Sequence, residues 1–207
     1  MRFNWRTFPL LMLGLALFGL GISLIRRAGL GLDPWSAFHQ GLTNHLPISF
    51  GVANVLSGLA ILVVGVIAFR QRVDWGTLAN MVLVGLWVDV FYPIIPEARS
   101  FGLSAELASL LAGILVIGLA SGMYISSRWG AGPRDGFVLT VAARTGRSVR
   151  LLRTALELTV LSMGVLMGAP AGAGTVLFAL LIGPAMQAGL KLFGALPARA
   201  PVALPAD

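Results

Sequence analysis

The chain has 207 residues, of which 57% are hydrophobic and only 11% are charged, and its mean hydropathy is +0.88. Soluble domains average about 25% charged residues, so the composition excludes an ordinary soluble protein, and the high hydrophobicity excludes disorder. The net charge of +7 does not indicate nucleic-acid binding, because the arginines fall in clusters between long apolar runs. There is no cysteine, which excludes disulfides and thiolate chemistry. The composition predicts an integral membrane protein.

Six apolar stretches are long enough for membrane-spanning helices, which need roughly 20 mostly apolar residues. None shows the two-residue alternation of a barrel strand, so we expect helices whose backbone groups are satisfied internally. The predicted fold is an all-α polytopic membrane protein. The six predicted spans are residues 8–25, 49–69, 75–95, 105–127, 149–167 and 174–193.

The positive charges predict the orientation of these spans. Twelve of the 15 Lys and Arg residues fall on one side of a six-span layout, and Arg26, Arg27 and Arg99 fall on the other. Since cytoplasmic connections are enriched in Lys and Arg, both termini are expected in the cytoplasm.

A short motif occurs twice. The sequence GLGLDPWSAF at 29–38 is similar to GAGPRDGF at 130–137, and Pro34 stands 99 positions before Pro133. Further matches recur at an offset of 98 or 99 residues. The repeat predicts two membrane units, 1–97 and 101–195, followed by a flexible Pro/Ala-rich tail at 196–207.

Each unit contains three predicted spans, and an odd number of spans inverts the second unit relative to the first. Inverted repeats are a common construction of secondary transporters, in which two halves rock about a central site. The alternative is a duplication that only builds a stable helix bundle.

Each motif opens a short helix, predicted at 34–45 and 133–145. Proline suits the first helical position, and Asp33 is placed to cap the first of the two helices. A 12-residue helix is ~18 Å long, too short for a ~30 Å hydrocarbon core, so we expect re-entrant or interfacial helices. The turns before them are either anion cradles at helix N-termini or simple tight turns. Their glycines are Gly29, Gly31, Gly130 and Gly132.

The six-span layout with these two motifs resembles the YczE/YyaS/YitT group of bacterial membrane proteins, over most of the chain from about residue 6 to 193. The absence of a soluble C-terminal domain is similar to the shorter YczE-like type. The resemblance implies a bacterial inner-membrane location and leaves the substrate open.

Two acidic residues, Asp89 and Glu157, fall well inside predicted spans, where a carboxylate costs roughly 2.5–3.5 kcal/mol and calls for a partner or a function. Asp89 is close enough to the outer arginines for an ion pair, and Glu157 is spaced four residues from Arg153 for a helical salt bridge. Gln187 occupies the repeat position of Asp89. With the motif residues, the predicted substrate-binding set is Asp33, Pro34, Trp35, Asp89, Pro133, Arg134, Asp135, Glu157 and Gln187.

Catalytic and metal sites are not predicted. His39 and His45 are six residues apart, which is not a metal-ligand spacing on a helix, and no cofactor motif is present. No serine–histidine, paired aspartate or zinc arrangement indicates an enzyme. Two G-x-x-x-G patterns, beginning at Gly118 and Gly164, predict close packing of the fourth and fifth spans or of a homodimer.

The sequence favours a small secondary transporter or permease for an unidentified small molecule or ion. The alternative is a non-transporting membrane accessory protein that scaffolds an enzyme complex. Membrane lipids are the expected partners of the basic run from Arg144 to Arg153, and no nucleic-acid partner is expected.

Overall fold

The computed structural model describes residues 5–194, and this part of the chain is all helical, with no strand. The tail predicted at 196–207 lies outside the described residues. The described part contains eight α-helices and two short 3-10 helices, Trp5–Thr7 and Ala98–Phe101. The helices are α1 (Phe8–Ala28), α2 (Pro34–His45), α3 (Phe50–Phe69), α4 (Trp75–Phe91), α5 (Leu103–Ser126), α6 (Pro133–Thr145), α7 (Val149–Leu166) and α8 (Ala173–Leu192).

Four helices, α1, α3, α5 and α8, are long and apolar enough to cross a membrane. The other two predicted spans correspond to α4, which has 17 residues, and to α7, which carries Arg150, Arg153 and Glu157. The protein is therefore a helical membrane protein, while six spans and an inverted repeat stay predictions.

The first helix extends three residues beyond the predicted span, because its two arginines have partners. The guanidinium of Arg26 lies over the rings of Phe50 and Tyr92, at 3.8 and 3.9 Å from the ring centroids. Arg27 forms an ion pair with Glu97 at 2.9 Å. These contacts keep α1 helical to Ala28.

The centre of the bundle is the pair α1 and α5, which pack along each other in antiparallel directions. Their interface is the core of the molecule, and it includes the fully buried Leu15 and Leu110. Helix α4 packs on α1, and α8 packs on α5. The short helices cross between the halves, since α2 packs on α7 and α6 packs on α3.

Backbone hydrogen bonds between the halves are reciprocal. The N–H of Gly76 donates to the carbonyl of Trp129 at 2.9 Å, and the N–H of Gly174 donates to the carbonyl of Leu30 at 2.8 Å. Each donor is the second residue of its helix, α4 or α8, and both acceptors belong to a glycine turn. Each half therefore anchors the turn of the other half with the same contact.

The two short helices begin at their prolines but are capped differently. Asp33 caps α2 as the sequence predicts, since its Oδ1 accepts from the N–H of Ser36 at 3.1 Å. The corresponding residue before α6 is Gly132, which has no side chain to cap with. Gly31 and Gly130 have φ angles of 117° and 121°, a conformation that favours glycine over any other residue.

The corresponding pairs α3–α4 and α7–α8 differ most between the halves. Helices α3 and α4 pack through the facing backbones of Gly51 and Gly85. Helices α7 and α8 make almost no direct contact within residues 5–194. Gly183, which occupies the repeat position of Gly85, has no neighbour within 4 Å of where a Cβ would lie. One pair is closed and the other is open.

The G-x-x-x-G pattern of α5 packs against a different helix from the one predicted. Gly118 and Gly122 lie against Ala185 and Gly189 of α8, not against α7. The reason is that α7 is held by α2, whose Ala37 backbone lies against Gly164. The small residues thus serve intramolecular packing in both helices.

Candidate functional site

A guanidinium from α6 stacks on an indole from α2 inside the helix bundle. The Cζ of Arg134 lies 4.0 Å from the ring centroid of Trp35, which is 8% exposed. Arg134 is the second residue of α6 and Trp35 is the second residue of α2, so equivalent positions of the two motifs meet. A cation over an aromatic face contributes roughly 0.5–2 kcal/mol, with the larger values at desolvated sites.

Neutral side chains surround one nitrogen of the guanidinium. Nη2 of Arg134 donates to Oδ1 of Asn54 at 2.8 Å and lies 3.3 Å from Nε2 of His39. Nδ2 of Asn54 donates to the carbonyl of Met81 in α4, which fixes the amide. The His39 Nε2 also lies 2.7 Å from Oγ of Ser57. We call Trp35, His39, Asn54, Ser57 and Arg134 the central cluster.

His39 is uncharged in the central cluster. Nε2 of His39 lies close to both Nη2 of Arg134 and Oγ of Ser57, and a positively charged ring would be repelled by the guanidinium. Burial, together with the positive charges of Arg134 and Arg26, lowers the pKa of His39 well below 6.5. The charge of the cluster is therefore that of Arg134.

Two polar groups beside the cluster lack partners. Arg134 has no ion pair within 4.0 Å among residues 5–194, and its Nε and Nη1 donate to no residue in that range. Oδ2 of Asp33 is buried and also has no hydrogen-bond partner there. A buried polar atom without a partner costs about 1–3 kcal/mol. The site therefore holds a half-buried guanidinium with two nitrogens that have no partner among residues 5–194, and one buried acceptor without a partner, Oδ2 of Asp33.

A second polar cluster starts at the residue after Arg134. Oη of Tyr124 donates to Oδ2 of Asp135 at 2.5 Å, and Oδ1 of Asp135 lies 3.6 Å from Nη1 of Arg153. Nε of Arg153 donates to Oε1 of Glu157 at 3.0 Å, which is the helical salt bridge that the sequence left as an alternative. These residues link α5, α6 and α7.

An open cleft of about 420 Å³ lies between the separated helices α7 and α8 and is closed behind by α5 and α6. Tyr124, Asp135 and Arg153 line it together with Arg128. Apolar side chains such as Leu139 line the remainder. Asp135, which lines the cleft, follows Arg134 of the central cluster in α6.

Asp89 lies apart from the central cluster, on the exposed side of α4. Its Oδ2 accepts from Oγ of Ser49 at 2.5 Å, and its Oδ1 accepts from the N–H of Gly51 at 2.9 Å. Both partners belong to the N-terminus of α3, where a negative charge is favourable. The carboxylate thus joins α4 to α3, and an arginine is not its hydrogen-bonding partner.

Comparison with known proteins places the chain among proteins without an assigned activity. The model of the family of unknown function DUF6198 matches residues 5–191.

The chain belongs to this family.

Three relatives support that membership. The chain is 37% identical to the uncharacterized membrane protein YczE of Bacillus subtilis over 82% of this chain and 79% of YczE. It is 32% identical to an uncharacterized protein of Haemophilus influenzae over 94% of this chain and 88% of that protein. It is 25% identical to YyaS of Bacillus subtilis over 80% and 83% of the two chains. The resemblance to YczE and YyaS is confirmed, and no solved structure matches.

The predicted substrate-binding residues of this DUF6198 chain do not form one site but lie in separate parts of the structure. Asp33, Trp35 and Arg134 come together at the centre, and Asp135 and Glu157 line or adjoin the cleft. Pro34 and Pro133 start the short helices, and Gln187 is exposed on α8. Of the turn glycines, Gly29, Gly31 and Gly130 have positive φ, and Gly132 is the N-cap of α6.

Sequence reasoning missed the neutral half of the central cluster. From the sequence, His39 is considered only as a metal ligand, which its spacing from His45 excludes, and neither Asn54 nor Ser57 is singled out. The available signal was their spacing. Asn54 and Ser57 are three residues apart on one face of an otherwise apolar helix, and His39 follows Trp35 by four.

Proposed function

We propose that this protein is a small secondary transporter that works by alternating access, with the central cluster as its substrate site. The observation that carries the proposal is the difference between the two corresponding helix pairs. Helices α3 and α4 are joined, whereas α7 and α8 stand apart around a cleft that Asp135, the residue after Arg134, helps to line. A site closed on one side and open on the other is what alternating access requires.

The repeat supplies the second conformation. In an inverted repeat, the arrangement of each half is available to the other half, so α7 and α8 would close as α3 and α4 do now. The reciprocal hydrogen bonds of Gly76 and Gly174 would keep the turns anchored during the exchange. With both termini in the cytoplasm, the cleft opens inward and the present conformation faces the cytoplasm.

The position of Arg134 supports a binding function for the centre. An intramembrane charge is expensive, and it persists where it serves a substrate or ion. Nη2 of Arg134 has neutral partners, whereas its Nε and Nη1 have no acceptor among residues 5–194. Purely structural arginines are usually paired, as Arg27 is with Glu97.

Uptake into proteoliposomes tests this function. Arg134→Gln should abolish uptake of any substrate that the wild-type protein carries, with little change in melting temperature. Arg144→Gln, at the C-terminal end of α6, is the matched control and should leave uptake unchanged. The alternative, an accessory scaffold, predicts no protein-dependent uptake in a broad metabolite screen.

A further inference from the structure

One arginine joins four helices at the end of the bundle where α1 ends. The guanidinium of Arg26 lies over the ring of Phe50 in α3 and over the ring of Tyr92, the C-cap of α4, at 3.8 and 3.9 Å from the two centroids. Its Nη2 donates to Oε1 of Gln40 in α2 at 3.0 Å. We call Arg26, Gln40, Phe50 and Tyr92 the Arg26 cluster. The guanidinium is held by an amide and two aromatic faces, and it forms no ion pair within 4.0 Å among residues 5–194.

The Arg26 cluster lies against the central cluster. The rings of Phe50 and His39 are in edge contact, with centroids 5.2 Å apart and an interplanar angle of 85°. Phe50 is buried, and Gln40 follows His39 in α2. The contacts of Arg26 therefore continue directly into those of the proposed substrate site.

The Arg26 cluster and the cleft lie toward opposite ends of α1. Helices α1 and α5 run in opposite directions, and Gly14 near the start of α1 lies against Tyr124 near the end of α5. Tyr124 and Ile125 line the cleft, whereas Arg26 belongs to the last turn of α1. From Gly14 to Arg26 the helix rises about 18 Å, at 1.5 Å per residue. One site is thus closed by contacts at the end opposite the cleft.

The positions of the Arg26 cluster recur around the cleft. Their counterparts, 99 residues later for the members in α1, α2 and α3 and 98 residues later for the C-cap of α4, are Ile125, Leu139, Val149 and Leu190. All four line the cleft. These offsets are those of the repeated motif and of Gly76 and Gly174, so the correspondence was not fitted to the cleft. Four positions that touch at one end are separated around an open space at the other.

We propose that the Arg26 cluster is a gate, in which Arg26 closes the end of the central site opposite the cleft and its release from Phe50 and Tyr92 opens that end. Neutral partners suit such a movement, because the guanidinium leaves no buried carboxylate unpaired when it withdraws. The counterpart residues are apolar, so the cleft would close by apolar contact alone. The gate rests on the proposed transport function, since it serves a site that opens on both sides.

Thiol labelling in membrane vesicles tests the gate, and the natural chain has no cysteine to interfere. Ser57→Cys places a thiol in the central cluster, about two turns beyond Phe50 on α3. Leu139→Cys places one in the cleft. The membrane-impermeant anion sulfonatoethyl methanethiosulfonate is applied to inside-out and to right-side-out vesicles. The side from which Leu139→Cys is labelled is the cleft side, and the gate is tested from the other side.

Arg26→Gln should raise the labelling rate of Ser57→Cys from the side opposite the cleft by roughly tenfold or more, because two cation–ring contacts are lost. Loss of a positive charge alone would slow an anionic reagent, so a faster rate reports access. Tyr92→Leu should act like Arg26→Gln, whereas Tyr92→Phe keeps the ring and should not. Arg99→Gln removes an exposed positive charge beyond α4 and is the control. Unchanged labelling in both Arg26→Gln and Tyr92→Leu overturns the gate.

Labelling of Leu139→Cys separates the gate from the transport function. If the two ends alternate, Arg26→Gln should slow labelling in the cleft while it speeds labelling of Ser57→Cys from the opposite side. Unchanged cleft labelling with faster labelling of Ser57→Cys supports the gate and contradicts alternating access. Faster labelling of both cysteines from both sides means that the bundle has loosened, and it overturns the gate. Substrate uptake by the wild-type protein, with unchanged labelling in Arg26→Gln and Tyr92→Leu, supports the transporter without this gate.

Discussion

The guanidinium of Arg134 lies 4.0 Å from the centre of the Trp35 ring, and these residues hold the same position in the two copies of the repeated motif. Two equivalent residues that touch must lie close to the axis relating the copies, if such an axis exists. Under the proposed alternating access, relative movement of the halves would change the surroundings of this stack from both sides at once. The proposal therefore puts Arg134 at the centre of the mechanism.

The Asp89 carboxylate should contribute to stability, because it accepts hydrogen bonds from Ser49 and from the N–H of Gly51. Asp89→Ala should lower the free energy of unfolding by about 1–3 kcal/mol, since a cap and a charged hydrogen bond are lost. Thermal unfolding in detergent measures the effect. Gln187→Ala, at the repeat position, is the control and should change stability by less than about 0.5 kcal/mol. Equal effects of the two substitutions would contradict the role of Asp89 as a cap.

Glycines of α8 should differ in their tolerance of a methyl group. A Cβ on Gly189 would collide with the carbonyl oxygen of Gly118, whereas a Cβ on Gly183 meets nothing within 4 Å. Gly189→Ala should therefore destabilise the protein by about 1–3 kcal/mol, through separation of α5 and α8. Gly183→Ala should be neutral or slightly stabilising in the same unfolding assay. The reverse order would mean that α8 packs elsewhere.

Reporter fusions check the predicted orientation. The charge bias places the C-terminus in the cytoplasm and the segment around Arg99 outside. A reporter active only in the cytoplasm should therefore work after residue 194 and fail at Arg99. Activity at both positions, or only at Arg99, would refute the six-span layout and with it the inversion of the repeat.

The starts of the short helices could be predicted from the sequence, because they depend on neighbouring residues in the chain. The Gly-x-Gly turn, Asp33 and Pro34 specify where α2 starts, through one φ angle, one cap and one missing N–H. The glycine turn and Pro133 start α6 in the same way, but without a side-chain cap. The all-α membrane fold followed from composition and from the length of the apolar runs.

The central cluster could not be assembled in the same way. Its polar members are ordinary residues of α2 and α3, and only the packing of α6 on α3 brings Arg134 to Asn54. For Asp89, the sequence argument predicted the wrong surroundings. The cost of a buried charge predicted an interior position, but the free N–H groups at the start of α3 give the carboxylate partners on an exposed face. No short sequence motif predicts the assembly of the central cluster or the partners of Asp89.

Disulfide trapping tests the exchange between the two helix pairs, and the natural chain has no cysteine to interfere. A Cβ on Gly58 would lie 3.7 Å from Cβ of Met81, which suits a disulfide between α3 and α4. The repeat positions are Glu157 in α7 and Ala179 in α8, whose helices are now apart. Gly58→Cys/Met81→Cys should cross-link readily and block uptake until reduced.

The most direct measurement is cross-linking of Glu157→Cys/Ala179→Cys in liposomes, with each single-cysteine variant as a control. Alternating access predicts that this pair forms a disulfide, more slowly than the α3–α4 pair, because it is trapped only when α7 and α8 close. Failure to form it under conditions that fully oxidise Gly58→Cys/Met81→Cys would contradict alternating access and leave a static bundle.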